Sequence, residues 1–376
     1  MNLAVVGVGN AGCRIANWFL EVERSTGRDL CRGNALLVNT EPTAFDVHER
    51  VPESNRLLIG DVHREVDAQG VGGDPDLGAR VAREERHELI RALDNVEFYD
   101  VDGVLVVAGL GRGTGGGAGP VVVEELQQIC DGPVYAVAVL PGADEGDHRA
   151  MNAARSLQSF VAKADNVIGF DNGAWREDQG TPDQDYRDVN AALATRVVSL
   201  FAAGEFRSNS AAPENRLDPS DMMRTLATGG VSTIGYAATD VGGSRWPLRW
   251  LASLPWPAFL RDGDDGADAE ETPQSEALRT NHLVRRATHS KLTLPCEVSS
   301  AERALIMLSG PSRALSRKGF ESGRYWLEQE ADTVDVMAGD EPHERSRQLV
   351  ATVLLSNVTE VPRIEAMKAQ ALATQV

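Results

Sequence analysis

Residues 109–120, Gly-Leu-Gly-Arg-Gly-Thr-Gly-Gly-Gly-Ala-Gly-Pro, form a glycine-rich turn between an apolar strand at Gly103–Ala108 and a helix expected to begin near Ala118, Gly119 and Pro120. A run of glycines lets consecutive backbone N–H groups converge on one point, and the positive end of the following helix adds its partial charge there. Thr114 supplies a hydroxyl donor, and a proline in the first helical turn costs no hydrogen bond. The segment is shaped for a phosphate chain. A plain flexible linker would not be bracketed this tightly by a buried strand and an amphipathic helix. It is not a P-loop, because no Gly-Lys-Ser/Thr follows the glycines.

A chain of 376 residues is long enough for two domains, each with its own core. The 37 basic residues face 56 acidic ones, a net charge of −19, and the only lysines are Lys163, Lys291, Lys318 and Lys368. That balance argues against nucleic acid as a partner. Dispersed acid with so little lysine fits a halophilic protein, since concentrated salt screens the self-repulsion. Cys13, Cys31, Cys130 and Cys296 show no metal-type spacing and fit reduced thiols. The chain starts directly on a strand at Asn2–Val6, without a leader pattern, and no stretch approaches the roughly 20 apolar residues of a membrane span. A cytoplasmic protein is expected.

From Met1 to about Ala203, apolar runs alternate with helical patterns. Strands are expected at Leu3–Val6, Ala35–Val38, Leu57–Ile59, Val104–Val107, Val134–Val139 and Val167–Phe170, and the spacing of Ile15, Phe19 and Val22 and of Val122, Leu126 and Ile129 gives helices with one buried face. This predicts an α/β, Rossmann-like N-terminal domain with a mostly parallel sheet and ligand at the carboxyl ends of the strands. A long linking helix follows, carrying Tyr186, Val189, Leu193, Val197 and Leu200 on one face. Strand-like segments at Val231–Ala238, Arg303–Leu308, Thr333–Met337 and Val350–Leu355 then predict a C-terminal α/β domain with a mixed sheet. Residues 261–277 carry acid, glycine and proline but no large apolar side chain, which predicts a disordered acidic loop. The expected division is 1–182, a linking helix at 183–204, 205–362, and a tail at 363–376.

Gly7-Val8-Gly9-Asn10-Ala11-Gly12 follows the first strand and satisfies Gly-x-Gly-x-x-Gly. A nicotinamide-dependent oxidoreductase is the different-class alternative this pattern allows. That scheme wants an acid about 20 residues on for the ribose, which Glu41 overshoots, and it leaves the glycine-rich turn without a role. Tyr186 and Asn190 stand four residues apart on the linking helix and so share a face. A tyrosine ring can stack on a purine, and an asparagine carbonyl can accept from N1–H and N2–H of guanine, a donor pair adenine lacks. Asp218-Pro219-Ser220-Asp221 makes a good helix start, with Asp218 as N-cap, Pro219 at the first position and Asp221 in the acid-friendly first turn.

These segments occur in the order of the tubulin/FtsZ superfamily. Gly111-Arg112-Gly113-Thr114-Gly115-Gly116-Gly117 resembles its Gly-Gly-Gly-Thr-Gly-Ser/Thr-Gly signature, with Arg112 and Gly116 departing from it. The resemblance implies that Asn10, Ala11, Gly12 and Cys13 approach the phosphates, with Cys13 where asparagine is usual. Asn39-Thr40-Glu41-Pro42-Thr43 resembles tubulin's Leu-Glu-Pro-Thr segment and implies Glu41 near the triphosphate and its Mg²⁺. Gly70–Gly78 resembles the FtsZ loop Gly-Ala-Gly-Gly-Asn-Pro-Glu-Val-Gly, implying that Gly72, Gly73 and Asp74 lie at the γ-phosphate end. Gly111, Gly113, Thr114, Gly115 and Gly116 would hold phosphate, Glu145 and Arg149 the ribose, and Asn172, Tyr186 and Asn190 the nucleoside. Asp218 and Asp221 fall in register with the acids of the FtsZ catalytic loop, near Asn215, and would act on the γ-phosphate of the next subunit.

The mixture of FtsZ-like loops with tubulin-like Glu41, Tyr186 and Asn190 is nearest to the haloarchaeal CetZ group. The implied protein binds GTP/GDP with Mg²⁺, polymerises head to tail with itself, and hydrolyses GTP on assembly as a cytoskeletal GTPase of cell shape or movement. An FtsZ-type division GTPase and a non-polymerising nucleotide-binding relative are the other readings. Membrane or adaptor proteins would be indirect partners, and no nucleic acid is expected.

Overall fold

The run Leu3–Val8 forms β1, and all of its residues are buried, as a strand covered on both faces requires. The computed structural model describes residues 1–45, 50–98, 100–176, 182–201, 217–241, 273–333, 335–343 and 346–373. After β1 come α1 (Gly9–Thr26), β2 (Ala35–Asn39), β3 (Arg56–Leu58), α2 (Pro75–Glu84), α3 (Arg86–Leu93) and β4 (Gly103–Gly109). They are followed by α4 (Gly119–Ile129), β5 (Val134–Leu140), α5 (Asp147–Val161), β6 (Asn166–Asp171), the short α6 (Asn172–Trp175) and the linking helix α7 (Pro182–Phe201). The C-terminal part contains α8 (Pro219–Leu226), β7 (Val231–Asp240), α9 (Pro273–His289), β8 (Arg303–Gly310), α10 (Arg317–Glu330), β9 (Val336–Pro342), β10 (Gln348–Ser356) and α11 (Pro362–Ala373).

The strands form one sheet in the order β3-β2-β1-β4-β5-β6-β7-β10-β8-β9. Every pair from β3 to β6 is parallel, so the mostly parallel N-terminal sheet is as expected. A two-residue parallel contact, Val167 with Val231 and Ile168 with Ser232, continues it into β7. Beyond that point β10 runs antiparallel to β7 and β8, while β9 is parallel to β8, which makes the C-terminal sheet mixed.

Alternation along β1 splits the core in two. Ala4, Val6 and Val8 face a cluster built with Val122 and Leu126 of α4 and Phe160 of α5, whereas Leu3 and Val5 face Ile15 and Phe19 of α1 and Leu193 and Val197 of α7. The linking helix therefore lies against the sheet beside α1, and the amino group of Met1 donates to the carbonyl of its last residue, Phe201, at 2.5 Å. Arg196 of the same helix is buried between the rings of Trp175, 4.2 Å from its centroid, and Tyr236, at 5.2 Å, joining α6 to β7.

Several expectations need adjustment. Residues 114–118, read as part of an extended turn, form a π-helical turn that runs straight into α4. Ile129 is exposed at the end of α4 and does not share the buried face of Val122 and Leu126. The strand expected at Thr333–Met337 runs instead over Val336–Pro342. Residues 261–272 of the acidic segment, together with 202–204 and Asn215, lie outside the described residues, while Pro273 opens α9. The segment read as a tail is α11, which packs on α5; Arg363 donates to the Pro141 carbonyl at 2.6 Å and Gln370 to Asp147.

Candidate nucleotide site

A cavity of about 690 Å³ opens at the carboxyl ends of β1, β2, β4 and β5, within the size range of small-molecule and cofactor sites. It lies where β1 separates β2 from β4, the point at which successive strands depart in opposite directions and a doubly wound sheet leaves a crevice. Its floor is the turn after β1 and the glycine-rich turn after β4, and Tyr186 and Asn190 of α7 close one end.

Close packing, more than flexibility, accounts for the glycines of the turn. A methyl on Gly117 would stand 2.0 Å from the carbonyl oxygen of Pro75, and one on Gly115 2.4 Å from that of Gly109. Gly9 has φ +71, and its Cβ would meet the amide nitrogen of Gly115 at 2.8 Å. The first loop, the glycine-rich turn and the start of α2 are thus pressed backbone to backbone. Side chains in these places would force the loops apart.

One amide chain fixes the polar groups on the cavity floor. Asn39 at the end of β2 is fully buried; its Oδ1 accepts from the amides of Thr40 and Glu41 at 2.8 and 3.2 Å, and its Nδ2 donates to Asn10 Oδ1 at 2.7 Å. Asn10 then donates to Glu41 Oε2 at 2.6 Å, and Thr43 donates to Oε1 at 3.0 Å. Thr40 Oγ1 accepts from the amide of Val71 at 3.3 Å and lies 2.7 Å from Thr114 Oγ1. With Thr40 donating in that pair, the hydroxyl proton of Thr114 is left for a ligand.

At the opposite end, Glu145 pairs with Arg149 and accepts from the amide of Gly142 at 2.8 Å. Arg176 pairs with Asp144 at 2.9 Å and stands 5.5 Å over the ring of Tyr186. Burial, and then the charge of Glu145, push the Tyr186 phenol above its ordinary range, so the ring is neutral and available for stacking. Asn190 is buried beside it. Asn172 Oδ1 is buried without a hydrogen-bond partner, an unusual state for a polar atom lining a cavity.

Of the residues expected at the site, Asn10, Ala11, Glu41, Gly72, Gly73, Gly111, Gly113, Thr114, Gly115, Glu145, Arg149, Asn172, Tyr186 and Asn190 all line this cavity. Four do not. Cys13 is fully buried with its thiol 3.5 and 3.7 Å from the carbonyls of Gly7 and Val38, because it occupies the core side of α1. Gly12 is buried against the backbone of Val107. Asp74 caps α2 by accepting from the amides of Asp76 and Leu77, and Gly116 packs against Ser156; both line a neighbouring cavity. Asp218 and Asp221 do not line it either. They form a reciprocal capping box on α8, with Asp218 Oδ1 accepting from the amides of Ser220 and Asp221 and Asp221 Oδ2 accepting from that of Asp218.

Arg14, Gln69, Arg112 and His148 line the cavity without having been anticipated as site residues. Arg14 follows Asn10 by four residues, so helical spacing alone could have found it. Among the described residues, no cluster of three or more His, Cys, Asp or Glu could hold a metal, and no helix is long and apolar enough to cross a membrane.

Residues 2–179 match the model of the Tubulin/FtsZ family GTPase domain, and residues 181–373 that of the tubulin-like CetZ C-terminal domain. The chain is 41% identical over 375 residues to the tubulin-like protein CetZ3 of Haloferax volcanii, covering all of this chain and 92% of that protein. It superposes on the structure of GDP-bound monomeric CetZ1 from Haloferax volcanii with a TM-score of 0.85 at 36% identity, covering 100% of both chains. The GTPγS-bound protofilament of Haloferax volcanii CetZ2 gives 0.84 at 32% identity, covering 100% of this chain and 98% of the other.

Proposed function

The chain belongs to the CetZ group of the tubulin/FtsZ family, and from that premise we propose that it is a cytoskeletal GTPase that binds GTP in the 690 Å³ cavity, assembles head to tail and hydrolyses the nucleotide on assembly, in the service of cell shape or movement. The observation that carries this reading is the polarity of the cavity. Its glycine-rich turn presents backbone amides and Thr114 at one end, while the other presents a neutral tyrosine ring, the buried Asn190 and the unpaired acceptor of Asn172. A phosphate chain fits the first end and a guanine nucleoside the second.

Glu41 suits Mg²⁺ held through water: each of its oxygens accepts one hydrogen bond and keeps a lone pair, and Mg²⁺ retains most of its waters. Bound there, the ion would offset phosphate charge. The relatives whose structures carry GDP, and GTPγS in a protofilament, support both the nucleotide and the self-association. Asp218 and Asp221 would reach the γ-phosphate of the neighbouring subunit, which makes hydrolysis depend on assembly. The test is GTP and ATP titration together with light scattering in molar KCl. GTP-selective binding and GTP-dependent scattering are expected; equal affinity for the two nucleotides, or no polymer, would refute it.

A further inference from the structure

Two cavities meet at the loop containing Gly72 and Gly73. The second, of about 510 Å³, lies between α2, α5 and the start of α4, and Gly72, Gly73 and His148 line both. Asn152 of α5 is buried and donates to the carbonyls of Gly73 at 3.0 Å and Gly111 at 3.4 Å, while the Cβ positions of Gly72 and Gly73 look onto open space.

The chemistry of the second cavity is that of an anion site. Arg83 and Arg155 line it, and among the described residues neither guanidinium is held in an ion pair or side-chain hydrogen bond. Lys163 adds a third cation, paired with Glu124. Ser156, one turn beyond Asn152, is 3% exposed, and its Oγ has no hydrogen-bond partner. A buried hydroxyl left in that state costs about 1–3 kcal/mol, a cost that an acceptor on a ligand would relieve. Asp74 and Asp76 line the cavity as well, so an anion belongs beside the Arg83 and Arg155 guanidinium groups and away from these carboxylates. Two arginines with no direct ion pair line one cavity in a chain of net charge −19, Arg83 within electrostatic reach of Glu124.

We propose that this second cavity binds inorganic phosphate and is the exit site for the phosphate that GTP hydrolysis releases, reached from the nucleotide cavity past Gly72 and Gly73. The inference rests on the GTPase reading above. In a head-to-tail polymer the next subunit covers the mouth of the nucleotide cavity, so phosphate formed inside needs a lateral route that leaves the junction closed.

The test titrates the full chain with inorganic phosphate at one fixed KCl concentration, free and saturated with GDP, following ³¹P line width. Phosphate should bind with GDP in place. The double variant Arg83→Gln/Arg155→Gln should weaken phosphate binding by about tenfold or more while leaving GTP affinity unchanged. Ser156→Ala, which cannot perturb the fold by charge, should weaken it in the same direction. In single turnover, acid-quenched samples should give unchanged cleavage in the double variant, and a fluorescent phosphate sensor should give an altered release rate. Phosphate that GDP displaces and the double variant ignores sits in the nucleotide cavity, which overturns the proposal and spares the GTPase reading. A GDP-loaded chain that binds no phosphate does the same. A chain that binds phosphate but no GTP overturns the GTPase reading and, with it, the exit role.

Discussion

Asn10 and Glu41, thirty-one positions apart in sequence, are joined by a 2.6 Å hydrogen bond from Nδ2 to Oε2 that brings the first helix and the end of β2 to one point of the cavity. The carboxylate is held in place before any ligand arrives, because Thr43 fixes its other oxygen. Glu41→Gln keeps the size and loses the charge. GTP should still bind the variant, but the gain in affinity or turnover on adding Mg²⁺ should shrink. A magnesium titration identical to that of the parent would remove Glu41 from the metal's surroundings.

Asn190 carries guanine selectivity on this reading. Its amide is buried at the end of the cavity beside Tyr186. Removing the acceptor leaves two donors of the base unmatched, worth about 1–3 kcal/mol in a buried site. Asn190→Ala should therefore weaken GTP by that amount and barely alter ATP, as calorimetry of both nucleotides would reveal. Unchanged GTP affinity would assign base recognition elsewhere, with Asn172 as the next acceptor.

The thiols report on folding. Burial pushes Cys13 and Cys296 up to about 12 and Cys130 up to about 11, and Cys31 is raised by burial and then by Glu23. Folded values above the unfolded one mean that the thiols' contribution to stability is complete below about pH 9 and is lost as pH rises from there through the folded values. Near pH 8 the Cys13 thiolate fraction is about 10⁻⁴, so alkylation should be slow in the native chain and fast after denaturation. Rapid labelling of native Cys13, read by mass spectrometry, would contradict its placement in the core.

Most of the cavity was legible because it is built from backbone. Glycine spacing, strand ends and the four-residue step from Tyr186 to Asn190 are local patterns, and they fall into place once the parallel strands align their carboxyl ends. What sequence could not convey is which way a side chain turns from a shared loop. Cys13 lies three residues past Asn10, yet α1 turns its thiol into the core while Asn10 faces the cavity. The glycine at 116 looked equivalent to its neighbours at 115 and 113, but the π-helical turn rotates it toward Ser156. The role of α11 was missed for a different reason: its contacts, such as Arg363 with Pro141, span 222 positions, beyond any local pattern.

Asp218 presents the sharpest choice, because its geometry already has a complete structural explanation. It caps α8 through the amides of Ser220 and Asp221, and Asp221 returns the bond to its own amide. Asp218→Ala would cost about 0.5–2 kcal/mol for the lost cap whether or not the acid has chemistry to do, so that variant confuses the two roles. Asp218→Asn separates them, since asparagine caps as well as aspartate but cannot act as a carboxylate. If the pair serves the next subunit's nucleotide, the asparagine variant should melt like the parent, bind GTP normally and assemble into polymers that persist. Its turnover should fall by about 10²–10⁴-fold, the usual contribution of a positioned general base. Parent turnover per subunit should also rise with protein concentration above a threshold, because site and acid then belong to different molecules. Turnover independent of concentration, or an Asp218→Asn variant as active as the parent, would leave these aspartates as the caps of a helix.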